Sequence, residues 1–320
     1  MPRALITGIA GQDGSYLADL LLEDGTDVVG LIRAEDRDGP NLAHLTGRVR
    51  LVEGDLLDPA SLRAAVGDVE PDELYHLAAP TFVPASWDDP TTTVAAIAGA
   101  TSTILAAARE TDPAMRVYVA TSSEIFGDAG VSPQDEDSPK RPRSPYGVAK
   151  LAAHQLIALL RERHGQHVSA GITFNHESPR RPPHFVPRKI TRGAAAISLG
   201  LQDELRLGDL GAQRDWTDAR DVVRGAVLAL RHDVPGDYVF ASGVPRTVKD
   251  LVDAAFAHVG VDPAGRVVVD PEFVRPPEPT QLLGDPTRAR EVLGWEPRIG
   301  FAQMIGEMVE TDLAELRAAG

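Results

Sequence analysis

Five short apolar runs, separated by glycine turns, loops and stretches of helical period, occupy the first half of the chain and restrict its fold more than any other feature. Ala4–Thr7, Asp27–Ile32, Val49–Gly54, Glu73–Ala78 and Arg116–Thr121 have the length and bounding turn residues of strands. Ser15–Glu23, Pro59–Val66 and Thr93–Arg109 between them carry apolar positions at helical spacing. A long helix is predicted over Pro145–His164 and a further strand over His167–Phe174. Parallel strands need a crossover between them, so this alternation builds a parallel sheet covered by helices on both faces. The expected fold class is α/β, a doubly wound, Rossmann-type parallel sheet with a smaller, partly interleaved C-terminal lobe.

Residues 1–174 are assigned to the sheet domain, with a returning segment near 215–243, and residues 175–320 mainly to the second lobe. Prolines gather at Pro179, Pro182, Pro183 and Pro187, and again at Pro271, Pro276, Pro277 and Pro279, as in loops over a site. Helices are expected at Arg188–Leu199, Asp218–Arg231, Thr247–His258 and Phe301–Arg317. The polar Asp128–Arg143 stretch reads as an exposed loop.

Composition removes several alternatives. The 320 residues carry 47 acidic and 32 basic side chains, a net charge of −15 that repels a phosphate backbone, so no nucleic-acid partner is expected. There is no cysteine, which excludes disulfides, thiolate metal sites and cysteine nucleophiles. No apolar run is expected to approach the roughly 20 residues that span a bilayer. No signal peptide precedes Leu5, and a soluble, cytoplasmic protein without a membrane partner is the expectation.

The first chemical signal is Gly8-Ile9-Ala10-Gly11-Gln12-Asp13-Gly14, directly after a strand and opening a helix. Glycines there let backbone N–H groups approach a pyrophosphate at the helix N-terminus. The spacing is G-x-x-G-x-x-G, and its position at the start of a βαβ unit turns a mere strand–helix connection into a dinucleotide site. Arg33 ends the second strand, where a cation tolerates a ribose 2′-phosphate; NADP is therefore expected over NAD, although Glu35 and Asp36 follow. Asp55, with Leu56 beside it, ends the third strand, where it reads equally as a cap on an adenine amino group and as an ordinary turn aspartate.

The second signal is Ser144-Pro145-Tyr146-Gly147-Val148-Ala149-Lys150. Proline in the first turn starts a helix, which puts Tyr146 and Lys150 one turn apart on one face. A phenol ordinarily titrates near 10, and a neighbouring ammonium stabilises the phenolate. Strand five closes with Thr121-Ser122-Ser123-Glu124, so these side chains belong at the carboxyl edge of the sheet, where such folds bind ligands.

With these residues in place, the chain resembles the extended short-chain dehydrogenases/reductases, and most closely the GDP-mannose 4,6-dehydratases. The likeness runs nearly end to end, through Leu5–Leu17, Ser144–Lys150, Phe174-Asn175-His176-Glu177-Ser178-Pro179-Arg180-Arg181, Arg188–Gly193, Arg214-Asp215-Trp216, Arg275-Pro276-Pro277-Glu278 and Leu283–Thr287. It implies that Tyr146 is the base at the sugar C4 hydroxyl, that Lys150 holds the nicotinamide ribose, and that Ser122 replaces the family's threonine at the C4 oxygen. Glu124 matches the acid/base carboxylate. Ser86, Asn175, Lys189, Arg214, Arg275 and Glu278 match substrate-binding positions. His76 is expected to pack within the sheet and His176 to brace a loop; no metal is expected.

The resemblance thus implies a nucleotide-sugar 4,6-dehydratase. It would oxidise C4 of GDP-mannose, eliminate water across C5 and C6 and return hydride to C6, giving GDP-4-keto-6-deoxy-mannose. Departures from the family pattern affect the sugar. Ala79-Pro80-Thr81-Phe82-Val83 stands where the family reads Ala-Gln-Ser-His-Val, and Gly99 where relatives carry asparagine or aspartate. The segment after Arg33 is also about ten residues shorter than usual, so a homodimer is expected rather than a tetramer. A 4-epimerase, a 4-ketoreductase, a dehydratase for another nucleotide sugar or nucleoside, and a non-catalytic NADP-binding protein are the rival readings.

Overall fold

The computed structural model describes residues 1–273 and 280–319. In chain order the elements begin with β1 (Arg3–Thr7), α1 (Gln12–Glu23), β2 (Asp27–Ile32), β3 (Arg50–Glu53), α2 (Pro59–Val69) and β4 (Glu73–His76). They continue with α3 (Pro90–Val94), a π turn at Ala95–Gly99, α4 (Ala100–Thr111), β5 (Arg116–Ala120), α5 (Pro145–His164), β6 (Val168–Thr173) and β7 (Asn175–Glu177). The remainder comprises α6 (Val186–Ser198), β8 (Leu205–Leu207), β9 (Gln213–Asp218), α7 (Ala219–Arg231), β10 (Asp237–Phe240) and β11 (Pro245–Thr247). The last elements are α8 (Val248–Val259), β12 (Val267–Val269), α9 (Thr287–Leu293) and α10 (Phe301–Ala319).

Seven strands form one sheet in the order β10-β6-β5-β4-β1-β2-β3, and every pair is parallel. Alternate residues of β1 explain why helices cover both faces. Ala4 and Ile6 join Leu17, Leu21, Val222 and Val223 of α1 and α7, whereas Leu5 joins Leu62, Val66, Ile104 and Ile157 of α2, α4 and α5. The chain winds outward in one direction from β1 through β2 to β3, and in the other from β4 onward. The carboxyl ends of β1 and β4, where Thr7 lies beside His76, are therefore the switch point at which such sheets bind ligands.

The strand β10 extends the sheet beyond β6, so chain beyond residue 174 returns to it. A second core packs α6, α8 and α10 around Trp216, Leu205 and Phe256. Beside it, β7, β9 and β11 form a small mixed sheet.

Two expectations need correction. The helical stretch Pro90–Thr111 is 22 residues long with a mean hydropathy of 1.4 in its most apolar window, so one run does reach bilayer length. Its apolar character comes from alanines together with Val94, Ile97, Ile104 and Leu105, and half of that window is buried against the protein, as in a core helix. The Asp128–Arg143 stretch is a loop but not an exposed one throughout. Gln134 and Glu136 are buried, the Glu136 carboxylate accepting a hydrogen bond from Val239 N at 2.7 Å and Gln134 N donating to Leu283 O at 2.7 Å. A polar segment was read as solvated because its partners lie some hundred residues away.

Candidate active site

A cavity of about 690 Å³ opens over the carboxyl ends of β1, β2, β4, β5 and β6. Its floor is the glycine turn. Gly8 has φ +78°, and a Cβ there would come within 2.9 Å of the Ala78 backbone, so only glycine lets β1 and β4 end this close together. The helix α1 starts after Gly11 with no side-chain cap, leaving its first N–H groups for a ligand; Gly11, Gln12, Asp13 and Gly14 all line the cavity.

Two of these residues tie the turn to β7 and the residue just after it. Gln12 Nε2 donates to His176 O at 3.2 Å, and Ser178 Oγ donates to Gln12 Oε1 at 2.8 Å. Asp13 Oδ2 lies 2.8 Å from His176 Nε2, and His176 Nδ1 lies 2.7 Å from Phe174 O. Burial pushes the Asp13 carboxyl up, but His176 outweighs it and holds the carboxyl below its ordinary value. Burial likewise pushes His176 down, and Asp13 more than reverses that. His176 therefore does brace a loop, through a charged contact.

Arg33, Asp36, Asp55 and Leu56 line the far end. The half-exposed Arg33 guanidinium is 2.9 Å from Asp36 and 3.1 Å from Glu35. Asp55 Oδ1 accepts from Leu57 N at 2.8 Å in a local turn.

At the other end, Ser122, Glu124, Tyr146 and Lys150 line the same cavity. Ser144 caps α5 by accepting from Gly147 N at 3.0 Å, and Pro145 fills its first turn. A Cβ on Gly147 would lie 2.6 Å from Glu124 O, so glycine after Tyr146 lets the helix start against the Ser123–Ile125 turn. Glu124 N donates to Ser122 Oγ at 3.2 Å. Lys150 Nζ donates to Ala120 O at 2.7 Å and lies 5.9 Å from the Tyr146 ring centre. Burial pushes Tyr146 up to about 12, opposed by its hydrogen bond with Ser122. Burial also pushes Lys150 down to about 8. His76 is buried, with Nδ1 2.8 Å from Thr7 Oγ1, and burial pushes it down to about 3, so it stays neutral.

The substrate candidates are spread more widely. Asn175 lines the cavity. Ser86 is buried and donates to Val83 O at 2.7 Å, outside the cavity lining, as are Lys189, 4.2 Å over the Phe273 ring, and Arg214, which donates to Gln213 O at 2.6 Å. Arg275 and Glu278 lie outside the described residues. Arg181 was not singled out from the sequence, yet it lines the cavity, pairs with buried Glu177 at 3.1 Å and stacks 3.7 Å over the Phe185 ring. Its place within the Phe174–Arg181 string was the available signal.

A family model described as GDP-mannose 4,6 dehydratase matches residues 5–308. The chain belongs to the GDP-mannose 4,6-dehydratase family. The GDP-mannose 4,6-dehydratase of Sinorhizobium fredii is 43% identical over 341 residues, covering 98% of this chain and 97% of the relative. Two solved structures share the fold. That of RMD from Pseudomonas aeruginosa, complexed with NADPH, is 26% identical with a TM-score of 0.84 and covers 98% of this chain and 100% of that one. The UDP-glucose 4-epimerase of Thermus thermophilus, complexed with NAD, is 25% identical with a TM-score of 0.81 and coverages of 97% and 98%. In this chain Ser122, Glu124, Tyr146 and Lys150 line one cavity.

Proposed function

We propose that the protein is a nucleotide-sugar 4,6-dehydratase, a hydro-lyase acting on GDP-mannose with a resident NADP. The observation that carries this is the convergence of Ser122, Glu124, Tyr146 and Lys150 at one end of a cavity whose floor is an uncapped helix N-terminus. The glycine turn and the α1 N-terminus fit a dinucleotide pyrophosphate, Asp55 and Leu56 would meet the adenosine, and Arg33 would meet a 2′-phosphate in exchange for Asp36 and Glu35. When bound, the nicotinamide supplies a two-electron acceptor that takes hydride from C4 of the sugar and gives it back at C6.

The protein's side chains do the proton work. Tyr146 removes the C4 hydroxyl proton, with Ser122 hydrogen-bonded to the same oxygen. Burial alone makes Tyr146 a poor base, so the phenolate depends on positive charge beside it, from the Lys150 ammonium and the oxidised cofactor. The C4 ketone acidifies C5–H; Glu124 takes that proton and passes it to the departing C6 hydroxyl, which leaves as water. A 4-epimerase or 4-ketoreductase needs no such carboxylate, and Glu124 in the cavity wall favours the dehydratase. Asn175 supports the substrate from within the cavity, and Lys189, Arg214, Arg275 and Glu278 would hold the nucleotide beyond it. A homodimer in the cytoplasm is the expected state, and light scattering tests the dimer.

The deciding experiment incubates the protein with GDP-, UDP- and dTDP-hexoses and follows product mass. Loss of one water from GDP-mannose is the expected result. Conversion of another nucleotide sugar, or epimerisation without mass change, would replace this reading.

A further inference from the structure

Two walls of the cavity, one of them carrying Val83 packed against the cluster that holds Tyr146, are joined by aromatic rings that no catalytic role absorbs. One wall is the loop after β4, from which Thr81 and Val83 line the cavity; the other is the segment before α6, from which Arg181 and Pro182 line it. Between them Phe82 stands edge-on to His184 and Phe185, at ring distances of 5.5 and 6.0 Å, while His184 and Phe185 stack 4.3 Å apart. Phe82 remains 43% exposed. A large apolar ring held in water is retained by its partners across the gap rather than by the core beneath it. Phe185 in turn carries the Arg181 guanidinium on its face.

We propose that Phe82, His184 and Phe185 form an aromatic clasp that holds the reacting end of the cavity shut and retains its contents between oxidation and reduction. The proposal rests on the dehydratase reading for its purpose. A sugar oxidised at C4 has given up hydride and a proton. If it leaves before the hydride returns, a free 4-keto sugar and one reduced cofactor remain for each oxidation, and the enzyme is stranded in its reduced state. A contact worth about 1 kcal/mol between two chain segments is strong enough to lower that escape and weak enough to open each turnover.

The test compares wild type, Phe82→Ala and Phe82→Tyr, the last keeping the ring. NADPH is preloaded, and its dissociation is followed by nicotinamide fluorescence after a chase with excess NADP, a reading that needs no sugar. Phe82→Ala should release it on the order of tenfold faster, and Phe82→Tyr at the wild-type rate. With GDP-mannose, Phe82→Ala should also leave reduced cofactor at 340 nm and free 4-keto-mannose nucleotide, both near zero in wild type. Equal NADPH release in all three proteins, or a tyrosine variant as leaky as alanine, overturns the clasp. Faster release from Phe82→Ala with no dehydration by wild type would support the clasp while the dehydratase reading failed.

Discussion

Asp13 of the glycine turn and His176 of β7 meet at 2.8 Å, joining two parts of the chain 163 residues apart. Because the His176 pKa is raised, its share of the stabilisation is full below about 6.5, the unfolded value, and is lost as pH rises through the folded pKa. Because the Asp13 pKa is lowered, its share is full above about 3.9 and is lost as pH falls through the folded pKa. The pair therefore stabilises the fold most between about pH 4 and 6.5. His176→Gln, which keeps a hydrogen-bond donor but not the charge, should cost about 1–3 kcal/mol in that window and progressively less at higher pH, as measured by urea denaturation of both proteins across pH. A difference that is flat with pH would show that His176 works without its charge.

Tyr146 and Lys150 should fail differently. Tyr146→Phe loses the ionisable oxygen and should lower kcat at least about 10²-fold, with nucleotide-sugar binding intact by calorimetry. Lys150→Met removes the cation that favours phenolate, so the rising limb of the kcat–pH profile should move to higher pH. Near-normal turnover of Tyr146→Phe would rule out Tyr146 as the base.

Arg33 lines the far end of the cavity amid two carboxylates. Arg33→Glu places an anion beside the expected 2′-phosphate and should move preference from NADP toward NAD by about tenfold or more in the ratio of dissociation constants. Unchanged binding isotherms for both cofactors would remove the main support for NADP.

Glu124 separates dehydration from oxidation. Glu124→Gln keeps the size of the side chain but neither takes the C5 proton nor donates to the leaving hydroxyl. It should still oxidise the sugar slowly, with absorbance rising near 340 nm, and yield no 4-keto-6-deoxy product. Unimpaired water loss in this variant would assign the elimination to another group.

The sheet was legible in the sequence because its causes are local. Apolar runs such as Ala4–Thr7 and Val28–Ile32 are buried on both faces, and a glycine turn leads straight into α1, so strand and helix are written within a few residues of each other. The Tyr146–Lys150 pair was legible for the same reason, since helical pitch alone puts both on one face. What the tertiary structure decided is which distant segments face one another. Asp13 gains its partner from His176, and Arg181 reaches the cavity, a placement that its position in the Phe174–Arg181 string does not by itself fix. Gln134 is buried because its side chain donates to Gln281 O and accepts from Leu283 N. Phe82, a substitution in a family string when read along the chain, becomes a bridge between two walls only once the loop after β4 and the residues before α6 are folded side by side. Hydrogen bonds and ring contacts act over a few ångströms of space, whatever the separation along the chain, so pattern reveals the elements and packing chooses their partners.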